Sequence, residues 1–184
     1  MAKPENICLS GGARGADLAW GDAAGRRGDA VIHFSFRHHR SAAPAAVRRI
    51  LTEVELRRAD AELRRAARHL QRPWPVASAY ARALLRRNWY QVKDSGMLFA
   101  IGRFGEDGHI AGGTAWAVTM FLLRHRWRNC AAYFFDQSAK TWLQWRGRWI
   151  PIRQPPTPSG RWTGIGSREL SAAGADAIRG LFAS

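Results

Sequence analysis

The chain has little cysteine: Cys8 and Cys130 are its two thiols, and both sit in apolar runs. No C-x-x-C pair or His/Cys spacing accompanies them, so no metal site is expected. Two reduced, buried thiols fit a reducing compartment better than a disulfide framework. Long hydrophobic runs are also lacking. The most apolar stretch, 110–123, is interrupted by glycine and falls short of the roughly 20 residues that a membrane span needs. No apolar leader precedes the first strand-like segment, so a cytoplasmic protein with no membrane partner is expected. Acidic residues are scarce: 14 Asp and Glu stand against 29 Lys and Arg, nearly all of them arginine, for a formal charge of +15. That balance favours anionic partners, from small phosphates to nucleic acid, although a GC-biased genome yields the same arginine and alanine excess without selection for binding. Neither G-x-x-x-x-G-K-[ST] nor a full G-x-G-x-x-G occurs, which argues against a P-loop nucleotidase or a dinucleotide dehydrogenase.

What is present suits one domain over 1–184, since 46% hydrophobic residues at this length can enclose a core without staples. Ile7 to Ser10 reads as a short strand, followed by a glycine turn and a helix over Ala16 to Gly25, and then by a second strand over Ala30 to Phe34. Residues 36–75 read as a helical insertion. Val47, Ile50, Leu51, Val54 and Leu63 recur at helical spacing from Ala45 to Leu70 among alternating arginines and acids, and Pro73-Trp74-Pro75 stops the run. A helix over Ala77 to Arg87 leads out toward a strand at Met97 to Ile101. A further helix through Leu123 precedes a strand at Ala131 to Phe135. Trp142, Trp145 and Trp149 mark a hairpin within 138–153, and a last helix covers Ala172 to Phe182. Strands alternating with helices predict an α/β, Rossmann-like open and mostly parallel sheet flanked by helices.

In such a sheet, ligands lie beyond the carboxyl ends of the strands, where a strand-to-helix turn presents free backbone N–H groups at the positive end of a helix dipole. Gly11-Gly12-Ala13-Arg14-Gly15 and Gly112-Gly113-Thr114 both fit a phosphate cradle of this kind, although glycine at such junctions also serves packing alone. Arg14 offers a forked guanidinium and Thr114 a hydroxyl. Asp17, in the first turn of its helix, can cap that helix or hold a ribose hydroxyl, and Asp136-Gln137 follow a buried strand at the same sheet edge. His33, His38 and His39 lack partners at fixed spacing and read as surface or packing residues.

The segment Leu9-Ser10-Gly11-Gly12-Ala13-Arg14-Gly15-Ala16-Asp17 resembles the S-G-g-A-R-G-x-D signature of the SLOG superfamily, which includes DNA-processing protein A, the lonely-guy phosphoribohydrolases and YspA-like sensors. Gly112-Gly113-Thr114 resembles its second glycine motif. Gly164-Ile165-Gly166-Ser167-Arg168-Glu169 and the helix after it are similar to the opening strand, G-S-R loop and first helix of those proteins. There that unit comes first; here it stands at 162–184. The resemblance, which covers about half of the chain, therefore implies a circularly permuted domain in which the last segment completes the sheet beside the first, or else pairs with a second subunit. It also implies that Gly166, Ser167 and Arg168 join the other loops around a phosphate, and that relatives assemble as homo-oligomers through outer helices.

Three functions follow as expectations. The first is binding of a phosphate-bearing nucleotide or nucleotide-derived signal of the ADP-ribose or cyclic type, with no resident cofactor. The second is an N-glycosidic nucleotide hydrolase or transferase using Asp17, Asp136 or Glu169. The stretch after Gly113 lacks the glutamate of the lonely-guy P-G-G-x-G-T-x-x-E motif, which argues against the hydrolase. The third is single-stranded nucleic-acid binding through exposed Trp142, Trp145 or Trp149.

Overall fold

The computed structural model describes residues 6–128 and 130–183. It holds eight strands: β1 (Ile7–Ser10), β2 (Ala30–Phe36), β3 (Arg48–Leu51), β4 (Met97–Gly102), β5 (Ala131–Asp136), β6 (Thr141–Trp145), β7 (Trp149–Ile152) and β8 (Arg161–Gly166). The six helices are α1 (Ala16–Arg27), α2 (Glu53–Arg58), α3 (Asp60–Leu70), α4 (Ala79–Val92), α5 (Gly112–Arg124) and α6 (Ala172–Gly180). One sheet contains every strand, in the order β3-β2-β1-β8-β4-β5-β6-β7. The first six are parallel and the β6–β7 hairpin closes the far side antiparallel. The fold is an α/β Rossmann-like domain, as the alternation of elements predicts.

Successive residues along the central strands serve opposite faces, as the two-residue period of a strand requires. Leu98 and Ala100 of β4, Phe134 of β5 and Ile165 of β8 pack under α3, α4 and α5. Phe99 and Ile101, Phe135 and Trp162 face α1 and α6. Both faces of the central parallel strands are thus buried, which is why those strands read as unbroken apolar runs rather than alternating ones.

The last strand is inserted at the centre. β8 pairs with β1 (Cys8 opposite Trp162) and with β4 (Phe99 opposite Gly164), parallel to both. Counted with β8 and α6 first, the parallel strands run 4-3-2-1-5-6, which with edge strand β3 set aside is the doubly wound order 3-2-1-4-5. Trp20 of α1 fastens the insertion. Its ring lies so close to β8 that a Cβ on Gly164 would sit 2.3 Å from it, and its indole N–H donates to the Ile165 carbonyl at 3.2 Å.

Two expectations are corrected. The stretch from Ala45 to Leu70 is not one helix: a single 3-10 turn over Ala45–Val47 leads into edge strand β3, and helix begins only at Glu53. The start is marked by a capping box, in which Thr52 Oγ1 accepts from Glu55 N–H and the Glu55 carboxylate accepts from Thr52 N–H. The 36–75 insertion therefore contributes a strand as well as two helices. The tryptophans of the hairpin are also not exposed stacking platforms. Trp142 is buried against Phe135, while Trp145 and Trp149 are half-buried against Trp127 and Phe134. No helix among the described residues is long and apolar enough to cross a membrane.

Candidate functional site

The carboxyl ends of β1, β8 and β4 and the start of α5 surround a cleft of about 560 Å³. Its floor is Gly102 of β4 with Ile165 and Gly166 of β8, one wall is α4, and the other is the first turn of α5. Val76, Leu84, Leu85 and Trp116 make one part apolar; Arg87, Arg103, Ser167 and Arg168 supply polar groups. This is the place at which an open α/β sheet takes its ligand, between neighbouring strands whose following helices lie on opposite faces. Here α6 follows β8 on one face and α5 follows β4 on the other.

At the base of the cleft lies a buried ion pair. Arg87 is 4% exposed and Asp17 6%. Arg87 Nη1 donates to Asp17 Oδ2 at 3.1 Å, and Gly166 N–H donates to Oδ1 at 3.1 Å. Gln91 completes the set: with its amide oriented so that the oxygen faces these two donors, the oxygen accepts from Gly11 N–H at 2.5 Å and from Arg87 Nη1 at 2.8 Å. Burial pushes the Asp17 carboxyl above its usual range, against the pull of Arg87 and the Gly166 amide. The carboxylate joins α1, α4 and β8 at one point. The Arg87 guanidinium is not used up by it, because Nε is buried and meets no acceptor among the described residues. A buried donor without a partner is costly.

The first turn of α5 opens on the same space. Ala111 at its N-cap supplies no capping side chain, and Gly112, Gly113 and Thr114 line the cleft. The first N–H groups of a helix have no intrahelical acceptor, so they carry the positive end of its dipole toward whatever fills the cleft. Asn88 holds this turn in place by donating to the Gly113 carbonyl at 3.1 Å. A Cβ at Gly113 would meet nothing nearer than 3.8 Å, so that glycine leaves approach open, whereas Gly112 is required by its φ of +66°. On the opposite rim the Ser167–Glu169 turn is pinned by Gln137, whose Nε2 donates to Ser167 Oγ at 3.1 Å and to the Glu169 carbonyl at 3.0 Å.

The expected site residues divide accordingly. Asp17, Gly112, Gly113, Thr114, Gln137, Gly166, Ser167, Arg168 and Glu169 are brought together around the cleft. Gly11, Gly12 and Gly15 are not among the residues that line it, and each has a packing reason to be glycine. A Cβ on Gly11 would fall 1.2 Å from Arg87 Nη1, one on Gly12 2.7 Å from Ser41 Oγ, and one on Gly15 2.3 Å from the Arg168 carbonyl oxygen. The first turn of α1 is also partly satisfied internally, since Ala16 N–H donates to the Ser167 carbonyl at 3.0 Å. Asp136 lies outside the cleft, where its carboxylate accepts from Ser138 N–H in the β5–β6 turn. Arg14 lines an adjoining hollow. Sequence reading missed Arg87, Asn88 and Gln91, although with Leu84 they recur at i, i+3, i+4 and i+7 on one face of α4. Polar residues amid an otherwise buried helical stripe were the available signal.

No protein-family model, curated protein or solved structure matches the chain.

Proposed function

We propose that the domain binds a phosphate-bearing nucleotide in this cleft, with the base against Val76, Leu84, Leu85 and Trp116 and the phosphate at the first turn of α5. The observation that carries the reading is that the uncapped start of α5 and the Arg87 side chain line one partly apolar cavity. The resemblance to the SLOG superfamily supports the same class of ligand. So does the strand order, which becomes the doubly wound 3-2-1-4-5 when β8 is counted first and edge strand β3 is set aside.

Binding is favoured over N-glycosidic cleavage by the fate of the acids. Of the three candidate carboxylates, Asp136 faces the β5–β6 turn, and Asp17 is committed to Arg87 and the Gly166 amide. Glu169 alone remains on the cleft wall with its carboxylate unpaired among the described residues. Glycosidic chemistry ordinarily employs two carboxyl groups in complementary roles.

Thermal unfolding with adenosine, AMP and ADP-ribose, run beside an assay for released ribose 5-phosphate, tests the assignment. AMP and ADP-ribose raise the midpoint, adenosine raises it less, and no ribose 5-phosphate is formed. Equal stabilisation by adenosine and AMP would remove the phosphate from the account, and turnover would replace binding with catalysis.

A further inference from the structure

Gly12 has a φ of +64°, and the loop after β2 is seated directly on it. Its carbonyl accepts from Ser41 Oγ at 3.1 Å and from Ala42 N–H at 2.8 Å. The Tyr80 hydroxyl at the start of α4 steadies the loop by accepting from Arg40 N–H at 3.3 Å. This docking encloses a second hollow, of about 440 Å³, lined by Ala13, Arg14, His39, Arg40, Ser41, Ala42, Tyr80 and Arg168. The first of its arginines comes from the turn after β1, the second from the loop after β2 and the third from the turn after β8.

No carboxylate lines the hollow, and none of its three guanidiniums takes part in an ion pair among the described residues. Elsewhere in the molecule arginines do find acids, as Arg49 with Glu55 and Arg86 with Asp60. The wall also contains His39, whose Nδ1 lies 2.9 Å from Ser35 Oγ. Burial and the nearby Arg87, Arg168 and Arg48 push its ionisation down to about 3, so it stays a neutral hydrogen-bonding group in a field that is strongly positive. Like charges gathered around a concavity from separate segments repel one another, and an anion relieves that repulsion. Planar guanidiniums match phosphate oxygens in pairs.

The hollow adjoins the cleft, since Ala13 and Arg168 line both. We infer that it is a second anion subsite, which receives a further phosphate of the ligand held in the cleft, so that the preferred ligand is a nucleoside diphosphate or a nucleotide extended through a pyrophosphate. The inference rests on the nucleotide reading of the cleft, and it assigns to Arg40 and Ser41 a role that the glycine motifs do not convey. Gly12 serves the same end indirectly, since only a residue without a side chain lets the loop approach.

Calorimetric titration of AMP and ADP into the wild type, Arg40→Gln and Arg37→Gln distinguishes the possibilities. Arg37 lies on the same loop but is not part of the wall, so its variant removes equal charge without touching the hollow. The wild type and Arg37→Gln bind ADP about tenfold or more tighter than AMP, while Arg40→Gln narrows the difference to roughly twofold, chiefly by weakening ADP. Equal affinity of the wild type for AMP and ADP overturns the second subsite and leaves the cleft standing. So does a loss of preference that is as large in Arg37→Gln, which would report a general field. Failure of the wild type to bind either nucleotide overturns the reading of the cleft itself, and the subsite with it.

Discussion

Gly11 is a glycine because Arg87 occupies the space that a side chain would need. A methyl group there overlaps the guanidinium at 1.2 Å and forces it off Asp17, leaving a buried carboxylate without its partner. Gly11→Ala is therefore expected to cost roughly 3 kcal/mol in a urea unfolding experiment. Gly112→Ala meets no atom within 4 Å and pays only for its left-handed backbone, about 1–2 kcal/mol. Equal losses would show that the Arg87 site does not constrain the turn. His33 provides a pH test. It is 2% exposed, its Nδ1 has no partner among the described residues, and burial, helped by Arg87, pushes its ionisation down to about 4. An imidazole that ionises near 6.5 when unfolded and near 4 when folded holds more protons in the unfolded chain within that window, so its contribution is complete above pH 6.5 and drains as the pH falls toward 4. The full difference is about 3 kcal/mol. His33→Leu should flatten the slope of stability against pH between 6.5 and 4; an unchanged slope would assign the acid sensitivity elsewhere.

Among the elements, α1 and β8 form the joint on which the sheet depends. Trp20 is fully buried between Phe99, Trp162 and Phe182. Trp20→Ala is expected to lower stability by about 3–5 kcal/mol, seen as a loss of urea midpoint by circular dichroism; a change under 1 kcal/mol would mean that β8 is held by its ladder alone. The elements also show what a sequence conveys. β1, β4, β5 and α5 were legible because burial on both faces makes their apolar runs continuous. β3 was not: Ile50 and Leu51 share their spacing with Val54 and Leu63 of the following helices, and only the pairing with β2 decides between strand and helix. The end of α4 was lost for a related reason. Asn88 to Val92 read as an exit from the helix, and that shift removed Asn88 and Gln91, and with them the wall that Arg87 belongs to, from the site. The glycine motifs located the right sheet edge, but Gly11, Gly12 and Gly15 answer to packing partners distant in the chain, which no local pattern displays.

At the scale of the whole molecule, both described ends come to the amino-terminal end of the central strands. β1 starts beside Gly160, whose carbonyl accepts from Ile7 N–H at 2.8 Å. α6 runs back from the carboxyl ends of the strands, so that Phe182 packs on Trp162 at the start of β8. A chain opened between Thr157 and Pro158 and joined end to end through a short glycine linker should therefore fold to the same circular dichroism spectrum, with β8 as its first strand. Failure to fold would mean that the order of synthesis, and not only the final contacts, is needed. The net charge of +15 acts at this scale as well, drawing anions toward the molecule without selecting among them. Selection belongs to the cleft, and its most direct test is calorimetric titration of 5′-nucleotides into the wild type and Gly113→Pro. Proline is tolerated in a first helical turn, where the lost N–H has no intrahelical acceptor, and a Cβ at Gly113 meets nothing nearer than 3.8 Å. The account predicts saturable one-to-one binding by the wild type and a loss of about tenfold or more in the variant at an unchanged melting temperature. Absence of binding by every nucleotide at millimolar concentration, or equal affinity in the two proteins, would contradict it.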